Sequence, residues 1–242
     1  MKQTNLFNLA LVDANEVEEL KTTLVQALTY VSFPGWRVEV VGGERRGSAF
    51  HDADFLVTHH SRSYEGVVIP LRNYLVDTGK LVSPDIAMCK VQHGLLPFHI
   101  QKMKSEHMKE ASAAPGYQTL DKFDHIYGIA KTSTGRFRRM DIIIIPPEEW
   151  GFAELGWTGS RTFLRFLRQH AKDLGMFLNS HALLIKTDQQ SYLVPDEHAP
   201  RRKNGRVAWP DGWHPGRKVC LEKDVFELLG VPYHPPHERN CL

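Results

Sequence analysis

Two aspartates stand two positions apart in His51-Asp52-Ala53-Asp54-Phe55-Leu56, a run that reads as a strand. Side chains alternate along a strand, so these two carboxylates project to one side. Like charges held so close call for a cation, and a hard, oxygen-preferring ion such as Mg²⁺ suits them. Just ahead lies Gly42-Gly43-Glu44-Arg45-Arg46-Gly47. Paired glycines let a backbone approach a phosphate closely and turn its N–H groups toward the anion. Arg46 can add a charge-assisted hydrogen bond to the same group. A phosphate-binding turn followed by paired aspartates points to metal-assisted phosphoryl or nucleotidyl transfer. An Asp-X-Asp pair alone is common in surface turns; the glycines before this one and the apolar residues after it set it apart. A third acid would complete the site. Asp141 follows basic residues and precedes Ile142-Ile143-Ile144-Ile145. It is predicted to begin a buried strand, where an unpaired carboxylate is costly.

The elements that must carry these residues are legible from periodicity. Val17, Leu20, Leu24, Leu28 and Val31 recur at helical spacing, which predicts a helix over 15–30 capped by Asp13 with Glu16 three residues on. Phe33-Pro34-Gly35 breaks it. Strands are predicted over 37–41, 53–58, 126–130 and 140–145, with Pro146-Pro147 ending the last. Residues 66–75 read as a helix containing Pro70. Residues 102–116 read as a loop, 147–156 as a domain boundary and 161–174 as a helix. Beyond lie a short strand over 191–194, a basic loop over 195–216 and a helix over 223–229 stopped by Gly230. Strands and helices in irregular order predict an α+β fold, a first domain over 1–150 and a small α+β domain over 151–242.

Bulk properties narrow the class. The 242 residues can bury a real core, and their net charge is only +2. The basic residues are clustered, at Arg45-Arg46, Arg136 to Arg139, Arg161 to Arg168 and Arg201-Arg202-Lys203. Three widely spaced cysteines do not form a disulfide framework or a zinc site, and the thirteen histidines show no metal-ligand spacing. The sequence has no apolar run of membrane-spanning length, and its start lacks a secretory signal, so an intracellular protein is expected.

The motif GGERRG followed by HDADFLVTH resembles the nucleotidyltransferase signature of the family X DNA polymerases. RRMDIIIIPPEEWGFAELGWTGSR resembles the same family around its third aspartate and Gly-Trp-Thr-Gly-Ser turn. GMFLNSHALL and EKDVFELLGVPYHPPHERN extend the likeness from about residue 15 to the chain end. The resemblance is strongest to the transferase-like members, with C-terminal motifs shared by a second branch.

The resemblance implies a palm over 1–150 with a mixed sheet, and a thumb over 151–242 that contacts nucleotide and DNA. Asp52 and Asp54 would bind two Mg²⁺ ions, with Mn²⁺ as a substitute. Asp141 would bind one of them and help deprotonate a primer 3′-hydroxyl. Gly42, Gly43 and Arg46 would hold the incoming triphosphate, with His51 and Lys131 near the nucleotide or primer terminus. Trp157 would stack on the nucleotide, Arg161 would lie beside it, and Gly156 would leave ribose unscreened. Arg165 and Arg168 would face template or primer, and the Gly159–Ser160 bond would be cis. The implied activity is addition of a dNTP, or an rNTP, to a DNA 3′ end, with or without a template, in end joining or gap repair; the alternatives are a catalytically weak DNA-end binding module and a nucleotidyltransferase using ribonucleotides or RNA ends. Expected with it are a nuclear location, end-joining partners, no membrane and a monomer. Departures are Ser48 where lysine is expected, a Gly47–His51 loop one residue short, and Leu164 in place of asparagine. No lyase, BRCT or helix-hairpin-helix segment is read, so lyase activity is not expected.

Overall fold

The structure, a computed structural model, describes residues 11–60, 66–82, 88–90, 123–186, 213–215, 219 and 221–241, with backbone alone at 88–90, 185–186 and 213–215. The expected loop over 102–116 and strand over 191–194, and most of the loop over 195–216, lie outside the described residues. The chain divides into two compact units. One comprises residues 1–40 and 51–145, the other residues 41–50 and 146–242.

In the first unit, helix α1 (Ala14–Val31) begins with the expected cap. The Glu16 N–H donates to Asp13 Oδ1 at 2.9 Å and the Asp13 N–H to Glu16 Oε2 at 3.2 Å, satisfying two amides at once. Val17, Leu20, Leu24 and Leu28 form its buried stripe. Strand β1 (Trp36–Val40) follows. The short helical turn α2 (Gly42–Arg45) belongs to the second unit, and β2 (Asp52–His59) returns to the first. Helix α3 (Val68–Asp77) starts two residues later than predicted, so Pro70 falls in the first turn, where an amide has no helical acceptor to lose. Strands β3 (Met88–Lys90), β4 (Asp124–Lys131) and β5 (Phe137–Ile144) complete a sheet of order β1-β2-β5-β4-β3. Only β2 and β5 run parallel, so the sheet is mixed. These two strands are central, and beyond their acids they are buried on both faces. Phe55, Leu56, Val57, Ile142 and Ile143 are fully buried, and both strands therefore end in unbroken apolar runs.

The second unit opens with a 3₁₀ turn (Pro147–Glu149) and helix α4 (Trp150–Thr158). This is a correction: much of the segment read as a domain boundary is a helix with most residues buried. Its glycines, which look like breaks, are packing sites. A Cβ at Gly151 would lie 2.7 Å from Val219 Cγ1, and one at Gly156 would lie 2.6 Å from Ser180 Oγ. Helix α5 (Arg161–Asp173) is followed by β6 (Met176–Leu178), β7 (Leu183–Lys186) and β8 (Trp213–Pro215), an antiparallel sheet in that order. Residues 213–215, read as the end of a loop, thus pair with β7. Helix α6 (Glu222–Leu228) and a 3₁₀ turn (Pro236–Arg239) end the described chain. Phe152, Leu155, Leu164, Leu167, Val225 and Phe226 anchor this unit's core. No helix among the described residues is long and apolar enough to cross a membrane.

Candidate active site

Strand register assembles the acids. Parallel pairing sets Asp54 directly opposite Asp141, and Asp52 opposite Arg139. Opposed residues share a face, and so do residues two apart on one strand. Asp52, Asp54, Arg139 and Asp141 therefore stand on one face of the sheet. One carboxylate oxygen from each of the three acids lies within 4.8 Å of the others, and all three residues are half-buried. Among the described residues this is the one such group of metal-ligating side chains. Asp141 is not at the start of its strand as predicted; it is inside β5, which begins at Phe137. The two arginines ahead of it belong to the strand and split between its faces. Arg138 is buried and reaches Glu16 on α1 through Nε at 2.8 Å and Nη2 at 3.0 Å. Arg139, on the acid face, forms an ion pair with Asp52.

Burial pushes the Asp141 carboxyl up to about 6, against the lowering pull of Arg139. A carboxyl among two others, in partial desolvation, resists ionisation unless a cation is near. Three hard oxygen donors converging this closely fit a divalent cation of the Mg²⁺ or Mn²⁺ kind. Across the sheet, Tyr127 on β4 faces Asp141, and its hydroxyl hydrogen-bonds the His125 ring. Lys131, at the exposed end of β4, shares that face but stands four residues beyond Tyr127. It is therefore about 13 Å along the strand from the Asp54–Asp141 row. His51 is exposed, one residue ahead of β2.

The other predicted residues lie in the second unit. Gly42 is buried with φ 70°, a backbone state that favours glycine. A Cβ on Gly43 would meet Phe50 Cβ at 2.9 Å. Arg46 is held rather than free-swinging: Nε donates to Asn240 Oδ1 at 2.9 Å and Nη1 donates to the Thr158 carbonyl. Asn240 Nδ2 returns a hydrogen bond to the Arg46 carbonyl at 3.0 Å. Ser48 Oγ donates to the Gly43 carbonyl at 3.0 Å, closing the short loop on itself. Arg46 thus ties the glycine turn to the end of α4, where Gly156 and Trp157 sit, one turn ahead of Arg161 at the start of α5. The Gly159–Ser160 peptide is cis. Arg161, Arg165 and Arg168 are exposed along α5, and Lys172 continues their row.

Sequence reasoning missed a polar cluster beside this turn. Arg45 Nη1 and Nη2 donate in parallel to Glu222 Oε1 and Oε2, each at 3.0 Å, and Nη1 also donates to Thr158 Oγ1 at 2.6 Å. Glu154 lies 3.2 Å from the same guanidinium. Glu222 also accepts from Arg239, which is fully buried. These partners are far apart in sequence and follow no periodicity; the nearest signal is the doubled arginine at 45–46.

Residues 153–240 match the family described as DNA polymerase beta thumb. Over 94% of its length the chain is 27% identical to DNA-directed DNA/RNA polymerase mu of Homo sapiens, covering 41% of that protein. It is 30% identical to DNA polymerase lambda of Rattus norvegicus, again over 94% of this chain and 32% of the relative. It is 28% identical to DNA nucleotidylexotransferase of Monodelphis domestica, over 90% of this chain and 39% of the relative. The chain thus spans about two-fifths or less of the length of these curated relatives. Over residues 153–240 the chain thus matches the thumb of this polymerase family, and along most of its length it is similar to polymerase mu, polymerase lambda and the nucleotidylexotransferases.

Proposed function

We propose that this chain is a DNA nucleotidyltransferase, adding nucleotides to a DNA 3′ end on a template or without one, in end joining or gap repair. The observation that carries the reading is the face shared by Asp52, Asp54 and Asp141, with carboxylate oxygens within 4.8 Å of one another. Asp52 and Asp54 would hold two Mg²⁺ ions, or Mn²⁺ in their place, and Asp141 would be a ligand to one. When bound, the ions supply Lewis acidity at the reacting phosphate and lower the pKa of an attacking hydroxyl. Asp141, beside the ions, would take up the proton of the primer 3′-hydroxyl. Arg139 holds the Asp52 carboxylate in place on the sheet.

In this reading residues 1–150 serve as a palm and 151–242 as a thumb. Gly42, Gly43 and Arg46 bind the triphosphate, with His51 and Lys131 contacting nucleotide or primer. Gly156, Trp157 and Arg161 contact the nucleotide, and Arg165 and Arg168 contact DNA. A nuclear location, end-joining partners and a monomeric state belong to the same proposal. A specific observation favours a second reading, use of ribonucleotides. Position 156 carries no side chain, Ser180 leaves no room for one, and one relative is named a DNA/RNA polymerase.

Primer extension with Mg²⁺ or Mn²⁺ on a single strand, a recessed end and a gapped duplex tests both readings. Incorporation by the wild-type chain and its loss in Asp141→Ala are expected. An unchanged rate in Asp141→Ala would overturn the assigned role, and no extension on any substrate would overturn the proposed activity. Parallel reactions with rNTP and dNTP decide the sugar preference.

A further inference from the structure

Along the strands, the sheet face that carries the acids opens toward the β4–β5 turn and closes the other way. Beyond the Asp54–Asp141 row, Leu56, Ile143 and His125 share that face and are buried. Toward the turn the next rows are Arg139 with Ile129, then Phe137 with Lys131. The Arg139 side chain is 55% exposed, Phe137 is 43% exposed, and Lys131 is exposed. Strand alternation sorts the charges here. Arg136 and Arg138 turn to α1, where Arg136 Nη1 lies 3.6 Å from Glu16 Oε1 and Arg138 Nε lies 2.8 Å from Glu16 Oε2. Glu19, three residues further along α1, accepts from the Ser133 N–H at 2.5 Å and from Ser133 Oγ at 2.9 Å. The turn itself is closed by the Thr132 N–H donating to the Arg136 carbonyl at 2.9 Å. The hairpin is thus clamped from behind by α1, and its other face presents a phenyl ring beside an ammonium. Phe137 and Lys131 are direct cross-strand partners, so their Cβ atoms stand about 5 Å apart. An exposed ring flanked by cations is what a single nucleic-acid strand takes, with a base on the ring and phosphates on the cations. From Asp141 back to Phe137 the strand covers about 13 Å. A stacked DNA strand advances about 3.4 Å per nucleotide, so the ring lies about four nucleotides upstream of a 3′ end held at Asp141.

We propose that Phe137 and Lys131 form a contact for the single DNA strand running upstream from the 3′ end: Phe137 stacks on a base about four nucleotides back, and Lys131 meets the phosphate beside it. Arg139, paired with Asp52, lines the path between this contact and the acids. The occupant is a DNA strand because the ring stands among cations on the face that leads to the acid cluster. The inference rests on the activity proposed above, which puts the 3′ end at Asp141.

The test uses the full 242-residue chain as wild type and as Phe137→Ser, Phe137→Trp and Lys131→Gln. Both positions are exposed, so the variants should fold, which thermal unfolding checks. Fluorescence anisotropy without dNTP measures binding of single-stranded DNA of about three, six and nine nucleotides over a salt series. For the wild type, affinity should rise about tenfold or more from the shortest strand to the middle one, as one stacked base and one phosphate give, and less from there to the longest. Phe137→Ser should lose most of that first gain and keep the salt slope, whereas Phe137→Trp should keep the gain. Lys131→Gln should lower the magnitude of the slope of log K against log salt by about 0.7. The same length gain in Phe137→Ser as in wild type overturns the proposal, as does an unchanged slope in Lys131→Gln. A dimer that Phe137→Ser dissociates, with DNA binding unaltered, also overturns it and makes the ring a contact between copies. Primer extension separates the two readings. Extension by a wild type that shows no length gain overturns the inference and leaves the proposed activity standing. A length gain abolished by Phe137→Ser, in a chain that extends nothing, supports the strand contact and overturns the activity.

Discussion

Asp141 holds its proton more tightly in the folded chain than in an unfolded one, at about 6 against an ordinary 3.8, because burial disfavours its charge. Between those values the folded state carries a proton the unfolded state has released. Protonation of Asp141 therefore stabilises the fold; that contribution is complete below the unfolded value and is lost as pH rises through about 6. Asp141→Asn mimics the protonated group. With chelator present near neutral pH, the variant should be more stable than wild type by on the order of 1–2 kcal/mol, and the gap should close toward about pH 4. Thermal unfolding across that range checks it, and equal stability at every pH would contradict the burial of the charge. The same substitution should abolish incorporation, so the acid that serves the chemistry is one the fold tolerates at a cost. Gly43 makes the opposite demand. Paired glycines were legible as a turn able to approach a phosphate, but the packing reason was not: a Cβ there would lie 2.9 Å from Phe50 Cβ and 3.2 Å from Ser48 Oγ. Gly43→Ala should destabilise the chain by about 1–3 kcal/mol, measured by urea denaturation.

At the scale of elements, what could be read was local. The α1 stripe and its cap, the two-residue alternation that pairs Asp52 with Asp54, and the limits of α5 and α6 all follow from spacing within one segment. The third acid was found from its apolar neighbours, yet its place in β5 was misjudged by three residues. Arg138 and Arg139 fall outside the predicted strand over 140–145, yet both are strand residues, each with a partner on its own face: Glu16 from α1 for Arg138, Asp52 from β2 for Arg139. Such pairings link residues far apart in sequence, and no periodicity reports them. The α4 glycines misled in the same way, since the atoms that exclude a side chain there come from Val219 and Ser180. The Arg138–Glu16 pair makes this reading testable. Both side chains are about 5% exposed or less, so removing one partner strands a buried charge. Glu16→Ala should cost about 3–5 kcal/mol in chemical denaturation, whereas Glu16→Met with Arg138→Met should cost much less. Equal losses in the two variants would show that the helix cap, not the ion pair, fastens α1.

For the whole molecule, 30 basic side chains against 28 acidic ones leave a net charge of +2, too little for a general attraction to nucleic acid. Affinity for a phosphate backbone must then come from how the charges are sorted. Arg161, Arg165, Arg168 and Lys172 fall at helical positions i, i+4, i+7 and i+11, within one narrow strip of α5, and all four are exposed. The adjoining face of that helix buries Leu164, Leu167 and Ala171, which anchors the helix and leaves the strip in solvent. Four cations held in a row by one rigid element meet a backbone better than the same charges spread over a surface, and each phosphate neutralised releases counterions. Replacing Arg165, Arg168 and Lys172 together by Gln should lower the magnitude of the slope of log K against log salt by about two to three. Binding should weaken uniformly across DNA sequences, since backbone contacts carry no base information. The melting temperature should stay near that of wild type, because the three side chains are exposed. Fluorescence anisotropy with a short duplex over a salt series measures the slope. A slope that does not change in the triple variant would mean that α5 does not face the DNA, and the cation strip would then be a solvated surface with no share in binding.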